Sequence, residues 1–115
     1  MSDFTEKVII ITGAGGNLGN VVAKHFFSCG ANLSLIDFNS KKLNDVKLSL
    51  EDDRRVMGHE VDLSDKDSVE KSIEATIKKF KKIDILLNIA GGFEMGPKIQ
   101  DTSDAMWSNM FNLNI

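Results

Sequence analysis

The stretch "IIITGAGGNLGN", Ile9 to Asn20, decides the fold. An apolar, β-branched run meets four glycines within seven residues and then gives way to a helical pattern. Apolar residues on consecutive positions fit a parallel strand covered on both faces, which puts a first strand at Lys7 to Thr12. A glycine-rich connection from strand to helix aims backbone N–H groups and the positive end of the helix dipole at an anion. Phosphate is therefore the expected ligand of the loop, although the same glycines also suit a tight strand-to-helix connection.

Outward from the loop, short β-branched runs alternate with longer stretches of helical period, the pattern of βαβ units. Leu18, Val21, Val22, Phe26 and Cys29 recur at helical spacing, and Gly30 supplies a left-handed stop. Leu33 to Asp37 reads as a second strand, Ser40 to Glu51 as a polar helix, and Arg55 to Val61 as a weaker third strand interrupted by Gly58, His59 and Glu60. Ser64, with Asp67 three residues on, resembles a capping box and opens a helix whose Val69, Ile73, Ile77 and Phe80 lie along one face. The run "KKFKK" closes that helix, where cations are favoured by the dipole. Ile83 to Ala90 reads as a fourth strand, and a loop from Gly91 to Thr102 carries the only proline. Ser103 can cap a last helix bearing Met106, Trp107, Met110 and Phe111. Right-handed crossovers between parallel strands favour a Rossmann-type, doubly wound α/β sheet of order 3-2-1-4, with the ligand at the carboxyl ends of the strands.

Composition narrows the partners. At 115 residues the chain is expected to form one domain, 1–115, with a real core. A net charge of −3 leaves no basic footprint for a nucleic-acid backbone, so nucleic acid is not expected as a partner. The first residues, "MSDFTEKVIII", carry acids where a signal peptide has a basic region, and the apolar run is too short to span a bilayer. A cytoplasmic location without membrane contact is the expectation. Cys29 is the single cysteine, so neither an intramolecular disulfide nor a cysteine-based metal site can close. His25 and His59 lack partners at ligand spacing, and no metal is expected.

The spacing of the glycines narrows the phosphate. No Gly-Lys-Ser/Thr follows, so there is no triphosphate-gripping lysine, and the generic G-x-G-x-x-G fails because Leu18 stands where its last glycine belongs. Read as T-G-x-x-G-x-x-G, the loop matches through Thr12, Gly13, Gly16 and Gly19. Asp37 follows Gly19 by eighteen residues at the end of the second strand, near where an adenosine ribose would lie. A carboxylate there accepts hydrogen bonds from the 2′-hydroxyl and repels a 2′-phosphate, while Gly16 and Phe38, the positions that could recruit that phosphate, are not basic. NAD is favoured over NADP, although a strand-ending Asp is also a common turn residue. Asp62, in "VDLSD", is a third group on the same rim and equally a helix-capping candidate.

With these segments in order, the chain resembles the short-chain dehydrogenase/reductase family. "TGAGGNLG", Asp37, "VDLSD", "LLNIAGG" and "MWSNMFNLNI" follow the family's order along the whole chain. The resemblance implies that Gly13 to Gly19, including Gly16, Asn17 and Leu18, bind the pyrophosphate, Asp37 the adenosine ribose, and Asp62 with the Leu63 backbone the adenine. It also implies that Asn88, Ala90 and Gly91 support the central sheet and line the nicotinamide side. Asn114, seven residues after Trp107, matches the asparagine of the family's Asn-Ser-Tyr-Lys group, where it helps hold a water in the proton relay.

Three departures qualify the match. Asn17 stands at the middle glycine of the spacing T-G-x-x-x-G-x-G usual in compact members, whereas the glycines present fit that of longer-chain members. Ile89 replaces the second asparagine of the N-N-A-G segment. The later segments place the chain with the compact members, carrying an irregular loop. Most consequential, the family's proton donor is a tyrosine beyond the Asn114 segment, and the chain has none. The expectation is the N-terminal part of a longer NAD-dependent oxidoreductase acting on an alcohol or carbonyl, homo-oligomeric at full length and inactive as this chain alone. Two alternatives stay open: a non-catalytic dinucleotide-binding or interaction module, and part of a nucleotide-sugar epimerase or dehydratase.

Overall fold

The computed structural model describes residues 4–89. Four strands and three helices alternate: β1 Val8–Thr12, α1 Asn17–Ser28, β2 Asn32–Asp37, α2 Ser40–Leu50, β3 Val56–Glu60, α3 Lys66–Phe80 and β4 Ile85–Asn88. All pairings are parallel in the order β3-β2-β1-β4, as the alternation predicts. Register pairs Thr12 with Ile36 and with Asn88, so the carboxyl ends of β1, β2 and β4 finish together on one edge.

Strand alternation divides the core in two. Ile9, Ile11, Leu33, Leu35 and Val56 pack with Ala23 of α1 and with Leu43 and Val46 of α2. Ile10, Ile36 and Leu86 pack on the other face with Val69 of α3 and with Val61 and Leu63. Because both faces are covered, every residue of β1 is buried, and its consecutive isoleucines each contribute about 1.5–3 kcal/mol of burial. Among the described residues no helix is long and apolar enough to cross a membrane.

The helix faces differ from those the apolar spacing predicts. Leu18 and Val21 are exposed, and α1 instead buries Gly19 and Ala23, with Val22 and Phe26 packed at the margin. Small residues let α1 lie so close to β1 that a Cβ at Gly19 would stand 2.0 Å from the Gly13 carbonyl oxygen. On α3 the buried line is Val69, Ser72 and Thr76, while Ile77 is 45% exposed. The cause is Ser34 of β2, whose hydroxyl lies 2.7 Å from that of Thr76. Thr76 donates to the Ser72 carbonyl and Ser72 to that of Val69, both at 2.7 Å, so each buried hydroxyl is paired and apolar Ile77 is left to turn outward.

The caps also move by a residue. Asp65, not Ser64, is the N-cap of α3, its carboxylate accepting from the N–H groups of Asp67 and Ser68. Asn39 caps α2 by accepting from the Lys42 N–H at 3.0 Å. Gly30 takes the left-handed conformation predicted for it, with φ +97°. The first, third and fourth strands are shorter than the β-branched runs suggest, and the second starts one residue earlier, at Asn32. The fourth begins at Ile85, preceded by Asp84, whose carboxylate accepts the Val8 N–H at 2.8 Å and so caps the entry to β1. The expected loop from Gly91 and the helix from Ser103 lie outside the described residues.

Candidate cofactor site

At the carboxyl edge of the sheet β1 turns into α1 through the glycine loop. Gly13 makes the turn with φ +68°, a conformation costly to a residue with a Cβ. Its carbonyl receives the Gly16 N–H at 3.1 Å, and Gly16 becomes the N-cap of α1. No side chain caps this helix and no acid lies in its first turn. The first N–H groups of α1 therefore have no partner within the helix and face the cleft as anion donors. A side chain at Gly19 is impossible without moving the helix, and one at Gly16 would come within 3.4 Å of the Gly13 oxygen. Such a cradle fits a pyrophosphate against bare backbone. Asn17, which displaces a glycine in one spacing and is free in the other, is the first residue of α1 and needs no glycine conformation.

The cleft in front of the loop has a volume of about 470 Å³. It gathers Gly13, Gly16, Asn17, Leu18 and Gly19 from the loop and helix, Asp37 from the end of β2, and Leu63 from beyond β3. Seven of the residues singled out in the sequence thus line one space. Ile36, Phe38, Val61 and Ile89 complete the wall. The sequence reading sets Phe38 beside a 2′-phosphate but gives Ile36, Val61 and Ile89 no contact with ligand, yet the signal exists: each stands at or just past the end of a strand, where period-two alternation can be carried on into the rim.

Asp37 is held by two backbone donors. The Gly15 N–H gives to Oδ2 and the Asn39 N–H to Oδ1, each at 2.8 Å. Thr12 is buried and does not line the cleft. Its hydroxyl donates to Asn88 Oδ1 at 2.7 Å and accepts from the Ile89 N–H at 3.0 Å, binding the end of β4 to β1. Asp62 is outside the lining too: its Oδ1 accepts from the N–H and hydroxyl of Ser64 at 2.9 and 2.6 Å. Ala90, Gly91 and Asn114 lie outside the described residues. His59 sits on β3 away from the cleft, its pKa below the ordinary 6.5 because burial disfavours the cation and Lys47 adds repulsion. Among the described residues no cluster of three or more His, Cys, Asp or Glu could hold a metal ion.

Comparison with known proteins agrees with this fold. A family model described as short chain dehydrogenase matches residues 7–115. The chain is 35% identical over 112 residues to the meso-2,3-butanediol dehydrogenase of Serratia marcescens, covering 97% of this chain and 44% of that one. A solved 3-ketoacyl-(acyl-carrier-protein) reductase from Brucella melitensis, complexed with NADH, is 33% identical with a TM-score of 0.67 over 71% of this chain and 33% of its own. In fold alone, a glucose/ribitol dehydrogenase-type protein from Brucella melitensis is similar at a TM-score of 0.79 and 23% identity, over 97% and 53% of the two chains. Other solved neighbours hold NAD or NADP. The chain spans about half the length of the curated relatives it matches.

Proposed function

Because the chain belongs to the short-chain dehydrogenase family, we propose that it forms the NAD-binding half of an oxidoreductase that moves hydride between nicotinamide and an alcohol or carbonyl carbon. The observation that carries this is one cleft holding both an uncapped helix N-terminus behind bare glycines and the Asp37 carboxylate. Bound NAD supplies the ring that accepts or returns hydride. The chain's own residues bind and orient it. Gly13, Gly16 and Gly19 with the first turn of α1 receive the pyrophosphate, Asp37 accepts from the ribose hydroxyls, and Ile36, Val61 and Leu63 offer the adenine an apolar wall. Thr12 and Asn88 fix the β1–β4 edge toward the nicotinamide side. Asp62, Ala90, Gly91 and Asn114 keep the roles that the family pattern gives them.

Asp37 is the reason to favour NAD over NADP. A 2′-phosphate within about 5 Å of this carboxylate meets a like-charge penalty on the order of 1–3 kcal/mol after solvent screening, or roughly 10–100-fold in affinity. The proton at the substrate oxygen is another matter. General acid–base catalysis needs a group within reach of that oxygen, and the 115 residues include no tyrosine. We assign this half the cofactor and not the proton, and with it a cytoplasmic setting and assembly into a homo-oligomer in the whole enzyme.

A non-catalytic dinucleotide-binding module is the second reading, favoured by the same lack of tyrosine. Titration with NADH and an assay of alcohol oxidation on the same preparation test both. Binding without turnover by this chain, with turnover by the whole protein, is expected. A folded chain that binds no NADH would refute both readings, and a whole protein that binds but turns over no alcohol or carbonyl would leave the module.

A further inference from the structure

We propose that Gly15 is a positioning residue that sets dinucleotide preference by holding the Asp37 carboxylate, an inference that rests on the reading of the cleft as a dinucleotide site. Asp37 stands at the cleft rim with one backbone N–H on each oxygen: Gly15 on Oδ2 and Asn39 on Oδ1, both at 2.8 Å. Gly15 belongs to the phosphate loop and Asn39 is the N-cap of α2, so the carboxylate is fastened between the two elements. A carboxylate has about four lone-pair sites. Two are taken by these donors, and the others remain for the hydroxyls of a ribose. Held this way, the charge cannot swing out of the path of a 2′-phosphate.

Space, not conformation, requires glycine at this position. Among the described glycines, positive φ occurs at Gly13 and Gly30. A Cβ on Gly15 would stand 2.8 Å from Lys42 Cβ, 3.0 Å from Asp37 Oδ2 and 3.1 Å from the Leu43 backbone nitrogen. Two of those atoms are fixed to the first turn of α2 and the third is the carboxylate itself. A methyl group must therefore push α2 outward or displace the carboxylate, and either movement lengthens the 2.8 Å bond. The loop thus couples two adjacent parts of the cofactor: the segment that receives the pyrophosphate also sets the group that reads the adenosine ribose.

A double-mutant cycle on the full 115-residue chain tests this, with NADH and NADPH affinities measured by nucleotide fluorescence for wild type, Gly15→Ala, Asp37→Ala and the double variant. Gly15→Ala is expected to lower the NADH-over-NADPH preference about tenfold, the scale of one charge-assisted hydrogen bond. In the Asp37→Ala background the same change should leave the preference within about twofold, as for independent sites. Equal weakening of both nucleotides, or the same shift in preference without Asp37, would overturn the inference. If Gly15→Ala does not fold, amide NMR decides: the Gly15 N–H resonance should follow the Asp37 carboxyl through an acid titration and lose that dependence in Asp37→Ala. A resonance indifferent to Asp37 would overturn it. Wild type that is folded but binds neither nucleotide would overturn the dinucleotide reading as well, whereas binding with an unmoved preference overturns this inference alone.

Discussion

Replacing Gly19 with alanine adds one methyl group at the tightest point of the fold. The new Cβ would lie 2.0 Å from the Gly13 oxygen and 2.8 Å from both the Gly13 carbonyl carbon and Ala14 Cα. The oxygen distance is about 1 Å or more short of van der Waals contact. All three atoms are backbone, anchored by β1 and by the Ala14 N–H bond to the Ile36 carbonyl, so no side chain can rotate aside. Overpacking of this kind costs about 1–3 kcal/mol, and the rigid neighbours put it at or beyond the upper end. Alanine's better helix propensity returns about 1 kcal/mol. The net loss is about 2 kcal/mol, a fall in melting temperature of about 10 °C for a domain of this size. Gly16→Ala provides the internal comparison. Its φ of −75° suits any residue, and the nearest atom outside its chain neighbours is 3.4 Å away. That variant should melt within about 2 °C of wild type while binding NADH more weakly, because its methyl group enters the cradle. Thermal unfolding followed by circular dichroism, with an NADH titration at 25 °C, reads both effects. A Gly19→Ala protein that melts with wild type would refute the close approach of α1 to the loop on which the phosphate site depends.

Other consequences are as direct. Thr76→Val leaves the buried Ser34 hydroxyl without its partner and should cost about 1–3 kcal/mol by urea denaturation, whereas Ser34→Ala with Thr76→Val should be nearly neutral. Burial alone would raise the Asp84 pKa, but the Val8 N–H, Lys82 and Lys7 together hold it below the ordinary 3.8. That stabilisation is complete above 3.8 and lost as pH falls through the lowered folded value, so Asp84→Asn should flatten the acid limb of a stability–pH curve. His59 has a folded pKa depressed below 6.5 by burial and by Lys47, so its neutral form stabilises the fold above 6.5. This contribution declines as pH falls from 6.5 toward the folded value, and His59→Gln should remove that slope in pH-dependent melts.

Much of the fold is legible in the sequence because parallel strands buried on both faces leave uninterrupted apolar runs, as at Val8 to Ile11. Right-handed crossovers narrow the sheet order to a short list, and the doubly wound order on it is the one observed. The helix faces are less legible. Apolar periodicity points to Leu18, Val21 and Ile77, but contact distance selects Gly19 and Ala23, and a polar position on β2 selects Ser72 and Thr76. Capping is ambiguous between Ser64 and Asp65 because both can accept from the next turn, and only the chain path decides it. At the candidate site, Gly13 and Gly19 are readable because a left-handed turn and a close backbone approach leave no room for a side chain, and Asp37 because it ends β2 at the cleft rim. Gly15 and Asn39 escape notice because they act on Asp37 through backbone N–H groups, which every residue but proline carries.

The central claim is that the glycine loop and Asp37 form an NAD site. Titrating the wild-type chain with NADH and with NADPH at matched ionic strength tests it most directly. The account predicts saturable binding of NADH, with NADPH weaker by about tenfold or more. Equal or tighter binding of NADPH, or no binding of either by the folded protein, would contradict it.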